Sequence, residues 1–329
     1  MPLPIFSLPY LVLAEIFNQI AATEIVLLSS ISKKCNKIIK ACRRKHEKLS
    51  LKILDNGYSE FSNETMILLR VRDLSQNVES TFKISIENHK IHCKIDRYGS
   101  LDTFWEDTER GTKSCTEYIC DLFGIAVSTI SYCSTNDMGI VEWLNQRQRP
   151  LENFITNVTK EVGQEEYRKF LGCNATKTIF ISALAPKGFR FLEKLPVVEM
   201  LYVAHCEWIT IDHLLTMEIQ ALETCSKSNL TNRNINNFLK HWLTGRLPRL
   251  RYFSMQIRNV MSEVVFQDFT EIVKSVKRPR RFQWHRNCVA EFNSSCDITR
   301  KDGVTASVVC FRGDEPEWTY VTVLVWPCL

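Results

Sequence analysis

The chain has 329 residues, 45% apolar and 24% charged, with 18 Phe, 9 Tyr, 7 Trp and a formal net charge of +5. This is ample material for about two cores, and it excludes wholesale disorder, collagen and coiled coil. The longest uncharged stretch, residues 122–136, is too short and too polar for a spanning helix.

The charge is uneven. Residues 33–52 carry nine Lys/Arg against the single acid Glu47, and residues 274–286 carry six Lys/Arg and no acid. The remainder is therefore net acidic. Runs of this kind mark phosphate contacts or nuclear targeting, or else a solvated helix face or loop. The solvated reading is preferred. The 13 cysteines form no Cys-x-x-Cys, and the apolar N-terminus lacks a basic lead and is interrupted by Glu15. That pattern fits neither a short-loop zinc site nor a secreted disulfide framework. It points to reduced thiols in the cytoplasm, the nucleus or both.

In chain order, Ser7-Leu8-Pro9 reads as a helix start, with a hydroxyl cap and an early proline. Leu13, Ile16, Phe17 and Ile20 follow at core spacing. Tyr10, Leu11 and Val12 make the first turn apolar nearly all round, so this helix needs cover on two sides. Thr23-Glu24 starts a second apolar helix, and Ser32-Lys33-Lys34 is a point where it can break in two.

The order Leu8-Pro9, Leu13, Ile16-Phe17, Ile20, Leu27-Leu28-Ser29, Ser32-Lys33-Lys34, Ile38-Ile39-Lys40 resembles an F-box of the large nematode families. The resemblance implies a three-helix module over residues 1–48. It would bind the Skp-type adaptor of a cullin-based (SCF) ubiquitin ligase. The matching contact positions are Leu8, Pro9, Leu13, Ile16, Phe17, Leu28 and Ser32. Cys35 stands where many F-boxes have an aromatic. On this reading, joint replacement of Leu13 and Phe17 by Ala abolishes adaptor binding and leaves the body folded.

Residues 50–113 read as a β-rich segment. It has a turn at Asp55-Asn56-Gly57, half-exposed strands at 65–71, 81–87 and 90–95, and a boundary loop at 106–113. From residue 114 to about 275, short β-like runs at 127–132, 151–156, 178–182, 200–203, 219–223 and 251–255 alternate with helix-like segments at 138–148, 164–171, 211–217 and 232–243. Strand and helix alternating at 20–32 residues suggest an irregular leucine-rich-repeat-like α/β solenoid. Ordinary α/β packing is the rival. The overall expectation is an α+β fold ending in C-terminal β-hairpins over 282–329, with a turn in 297–303 and strands at 306–312 and 319–326.

A second resemblance lies inside this stretch. Trp208-Ile-Thr-Ile-Asp-His-Leu214-Leu215, Ser228-Asn-Leu230-Thr231, Asn236-Asn-Phe238-Leu239-Lys240-His-Trp242, Gly245 and Pro248-Arg-Leu250 are similar to the nematode F-box-associated type-2 domain, over about 190–257. The family implies a region that recruits an unknown protein substrate and carries no catalytic chemistry. Phe238, Leu239 and Trp242 share one helical face and are expected in the core, with Asn236 and Lys240 structural.

The chain contains no Gly-x-Gly, no Gly-x-Ser-x-Gly, no His-Glu-x-x-His and no EF-hand loop. His89 and His92 fall on opposite faces of a strand, which defeats a shared metal. No cofactor is expected. The leading reading is a substrate-recognition subunit of an SCF-type ligase. A repeat-type interaction scaffold unconnected with ubiquitination is the alternative, and nucleic-acid binding ranks last because aromatics are sparse between the basic charges.

Overall fold

Helix breaks explain how the first forty residues become three helices. The computed structural model describes residues 7–42, 49–53, 59–62, 67–75, 81–87, 89–133, 138–148, 150–285, 288–313 and 315–327. α1 (Tyr10–Gln19) follows Pro9, whose carbonyl accepts the N–H groups of Val12 at 3.0 Å and Leu13 at 3.1 Å. Pro9, not the Ser7 hydroxyl, is therefore the N-cap. α2 (Ala22–Ile31) starts one residue before the expected Thr23, and the Glu24 carboxylate reaches back to accept the Ala21 N–H at 3.3 Å. Ser32 is extended and ends α2. Its hydroxyl then accepts the Cys35 N–H at 3.1 Å and caps α3 (Lys33–Cys42). The break expected at Ser32 is present.

The chain divides into two units, Met1–Ile155 and Thr156–Leu329. In the first, the helices are followed by β1 (Leu49–Ile53), β2 (Ser59–Ser62), β3 (Ile67–Asp73), β4 (Phe82–Ile86), β5 (His89–Ile95), β6 (Leu101–Trp105), α4 (Thr108–Phe123), β7 (Val127–Tyr132), α5 (Gly139–Arg147) and β8 (Leu151–Thr156). The sheet order is β8-β7-β1-β2-β3-β6-β5-β4. It is mixed: β1 with β7 and β3 with β6 are parallel, while the hairpins β1-β2, β2-β3, β4-β5 and β5-β6 are antiparallel. The Asp55-Asn56-Gly57 turn lies outside the described residues.

One expectation fails here. The loop and boundary placed at 106–113 is the beginning of α4. Asp107 accepts the Arg110 N–H at 3.0 Å as N-cap, and Gly124 ends the helix at φ +64, where a side chain is strained. Gly111 lets α4 approach β6, since a Cβ there would lie 2.6 Å from Trp105 Cγ.

The second unit contains α6 (Gln164–Leu171), β9 (Ala175–Ile181), β10 (Met200–Val203), α7 (Ile211–Thr216), β11 (Ala221–Lys227), α8 (Asn232–Leu243), β12 (Tyr252–Arg258), the short α9 (Ser262–Val265), β13 (Lys274–His285), β14 (Cys288–Thr299), β15 (Thr305–Arg312) and β16 (Trp318–Val325). β9, β10, β11 and β12 are parallel neighbours in chain order, and β16, β15, β14 and β13 follow as antiparallel neighbours. Strand and helix alternate from β10 to β12 as expected. Between β9 and β10, however, there is no helix, and sheet dominates the chain. The α+β class stands, while a regular repeat is not established.

Register sorts the side chains. The row Ile179, Leu201, Leu222, Phe253 is buried on the helix side, where Phe238, Leu239 and Trp242 of α8 pack, with Phe238 and Phe253 rings 4.7 Å apart. The expected core role of the α8 triplet holds. Asn236 donates to the Val265 carbonyl at 3.0 Å, and Lys240 pairs with the Asp268 carboxylate rather than with backbone.

The basic run from Lys274 is neither helix nor loop. It is β13, a 12-residue strand at the sheet edge, so strand structure begins eight residues before the expected 282. Lys274, Lys277, Arg278 and Arg281 are exposed. Charges at such positions discourage edge-to-edge pairing with another sheet.

Candidate functional site

Two surfaces are candidates for contact with another macromolecule. The first is the helical module. Leu13, Phe17, Ile25, Val26, Cys35, Ile39 and Cys42 are buried, and α1 packs on α3, with the Tyr10 hydroxyl donating to the Ala41 carbonyl. α2 and α3 lie against α4, where the Ser29 and Tyr118 hydroxyls are 2.6 Å apart and Lys40 pairs with Asp121. Burial pushes the Tyr118 phenol up. Tyr10, Leu11 and Val12 of α1 are exposed.

The candidate contact residues separate accordingly. Leu13 and Phe17 are inside the module, at 5% and 0% exposure, so they fix helix geometry and offer no surface. Leu8, Ile16 and Leu28 are half-buried, while Pro9 and Ser32 are exposed and serve as the caps described above. Four large apolar side chains outside that set are well exposed: Leu11 at 75%, Ile31 at 70%, Tyr10 and Val12. For Tyr10, Leu11 and Val12 the signal was in the sequence, as a first helical turn apolar nearly all round. Leu27, Leu28 and Ile31 line a groove of about 740 Å³ with Phe82 and Ile84 of β4 and Ile95 of β5.

The second surface is the face of the parallel strands turned away from α7 and α8. Its rows are Thr178, Met200, Ala221, Tyr252 and then Phe180, Tyr202, Glu223, Ser254. The Phe180 and Tyr202 rings stack at 4.0 Å, and Tyr252 stacks on Trp284 of β13 at 3.8 Å. In a flat sheet β13 and β12 would be four spacings apart, about 19 Å. The β13-β14 hairpin therefore curls back over this face. Phe282, Phe292, Val309 and Leu324 form a second apolar core beneath it. Arg280 anchors the curl, pairing with Asp297 at 2.7 Å and lying 4.2 Å from the Trp326 ring centroid.

Four buried thiols are not activated for nucleophilic chemistry. Cys93 is pushed up to about 12 by burial, and Cys115, Cys120 and Cys206 are raised for the same reason, the opposite of an activated nucleophile. His89 stands by Arg110 and His92 by Thr81. Among the described residues no group of three or more His, Cys, Asp or Glu is placed to hold a metal ion, and no helix is long and apolar enough to cross a membrane.

Residues 5–47 match the F-box domain family, and residues 193–255 match the F-box associated family. The "Skn-1 dependent zygotic transcript 15 protein" of Caenorhabditis elegans is 23% identical over 295 residues, covering 82% of each chain. The "E3 ubiquitin-protein ligase hecw-1" of the same nematode is 22% identical over 320 residues, spanning 86% of this chain but 25% of that protein's length. No solved structure matches.

Proposed function

We propose that this chain, which carries an F-box domain and an F-box associated domain and is similar to nematode proteins, is the non-catalytic substrate-recognition subunit of an SCF-type ubiquitin ligase. The helical module binds a Skp-type adaptor and, through it, a cullin. The second unit holds a target protein in the manner of a short leucine-rich-repeat-like solenoid, a reading supported by the sequential parallel order of β9 to β12. Catalysis then belongs to the ubiquitin-conjugating partner. The subunit contributes proximity, which turns a bimolecular encounter into a local one. Its place of work is the cytoplasm, the nucleus or both.

The observation that carries the reading is the pairing of the two domains in one chain, with the apolar turn Tyr10–Val12 left exposed on the first. Exposed large apolar side chains such as Tyr10, Leu11, Val12 and Ile31 are a solubility liability, since burying each contributes roughly 1.5–3 kcal/mol. A partner helix that covers them recovers that free energy. Co-purification of the full chain with a purified Skp-type adaptor tests the proposal. A stoichiometric complex is expected, and failure to bind sinks it.

A scaffold without a role in ubiquitination is the second reading. The docking of α2 and α3 on α4 through Ser29, Tyr118, Lys40 and Asp121 favours it, because those helices then cap their own unit. The same co-purification decides between the two.

A further inference from the structure

We propose that Glu223 and the aromatic side chains around it form a slot for a lysine or arginine side chain of the target protein. The inference rests on the second unit being the part that holds the target, and it adds the chemistry of what is held.

The slot follows from the register. Glu223 lies directly across from Tyr202, and Tyr202 directly across from Phe180. Phe180 stacks on Tyr202 at 4.0 Å with an interplanar angle of 4°, so it covers one face of that ring. In the register Tyr202 stands between Phe180 on β9 and Glu223 on β11. On the far side of Glu223, Tyr252 stands diagonally one register step away, and Trp284 is stacked on it. A carboxylate is thus set between two aromatic stacks. The Tyr202 hydroxyl is engaged with Cys225 Sγ at 3.0 Å, so it does not compete for the carboxylate.

Glu223 is half-buried and, among the described residues, its carboxylate has no hydrogen bond or ion pair. Burial alone raises its carboxyl above the ordinary range. A desolvated carboxylate is costly unless a cation meets it. A ring face is attractive to that same cation, because its quadrupole is negative there.

The same unit contains two finished versions of this arrangement. Lys227 lies on Glu315 at 2.6 Å and over the Trp318 ring at 5.5 Å. Arg280 lies on Asp297 at 2.7 Å and over the Trp326 ring at 4.2 Å. In both, a carboxylate and a ring hold a cation supplied by the chain itself. At Glu223 the carboxylate and rings are present and, among the described residues, no cation of the chain lies on them. The complementary group comes from outside, and charge selects a basic segment over an acidic or apolar one.

The test is selection of a phage-displayed library of random peptides on the immobilised full chain, on Glu223→Gln and on Tyr202→Leu. The wild-type chain is expected to enrich peptides carrying Lys or Arg. Those peptides should bind at least about tenfold more weakly to Glu223→Gln, which keeps shape and removes charge. Glu223 has no bond to lose, so that variant is expected to fold, and circular dichroism checks it. Tyr202→Leu, which retains the carboxylate and removes the ring face, should weaken the same peptides. Enrichment without basic residues, unchanged binding to Glu223→Gln, or no enrichment at all overturns the slot. Adaptor binding is measured in parallel and should be unchanged in both variants. Peptide selection as expected on a chain that never binds the adaptor would leave the slot standing and overturn the receptor reading alone.

Discussion

Replacing Leu13 and Phe17 together by Ala separates helix packing from adaptor contact. Phe17 is fully buried and Leu13 nearly so, one helical turn apart on the side of α1 packed inside the module. Truncating a buried Phe costs about 3–5 kcal/mol and a buried Leu about 2–5 kcal/mol. The two neighbours couple, so the sum is not strictly additive, but about 5 kcal/mol or more is expected. That approaches the whole stability of an ordinary domain, about 5–15 kcal/mol. The double variant should therefore lose the helical module itself, and lost adaptor binding in it would reveal nothing about contact. Leu11→Asp is the complementary change. Leu11 is 75% exposed, so its replacement should shift stability by no more than about 0.5 kcal/mol. If Leu11 is an anchor, adaptor affinity should fall at least about tenfold. Amide hydrogen exchange over residues 10–42 and urea unfolding read the first effect, and calorimetric titration reads the second. A double-alanine variant with wild-type protection across those residues would refute the burial argument.

Three further outcomes follow from the packing. Gly111→Ala should lower stability by about 1–2 kcal/mol, because the added Cβ meets the Trp105 ring and the overpacking outweighs a helix-propensity gain of about 1 kcal/mol; a urea midpoint equal to or above wild type would contradict it. Asp297→Ala leaves Arg280 of the curled hairpin without its carboxylate partner and should cost about 3–5 kcal/mol, seen first as faster exchange in β13 and β14. Burial holds the His213 imidazole below its ordinary pKa of 6.5, and its Nδ1 accepts the Thr210 N–H at 3.0 Å. As pH falls, the unfolded chain takes up this proton first, so the contribution is full above pH 6.5 and is lost toward the lowered folded value. Melting temperature should drop below pH 6.5 and drop less in His213→Asn; equal slopes would reject the assignment.

Much of this was legible from periodicity. α6, α8, β7, β8 and β10 have the boundaries their sequence patterns indicate, because each is short, amphipathic or apolar, and flanked by polar turns. α4 was missed although its signals are present: Asp107 as cap, Gly124 as stop, and Cys115, Ile119 and Phe123 at spacings of four between them. Its charged first turn read as a loop, since local charge says nothing about a helix whose other side is buried. β13 was missed for a related reason. Most of its basic residues are the solvated positions of an edge strand, while Arg280, Phe282 and Trp284 turn inward. That inward turn depends on the hairpin curling back across the sheet, a long-range event without a local signature. The helical module shows a third limit. Pattern identifies Leu13, Phe17 and Leu11 equally as apolar, and only packing separates the two that build the module from the one that faces outward.

The exposed side of α1 and α2 is the proposed adaptor-docking surface. Isothermal titration of a purified Skp-type adaptor into the full chain, with Leu11→Asp as control, tests it most directly. Saturable one-to-one binding is expected, weakened at least about tenfold in the variant, with the variant's fold intact. No heat of binding by the wild-type chain, or equal affinity for both, would contradict it.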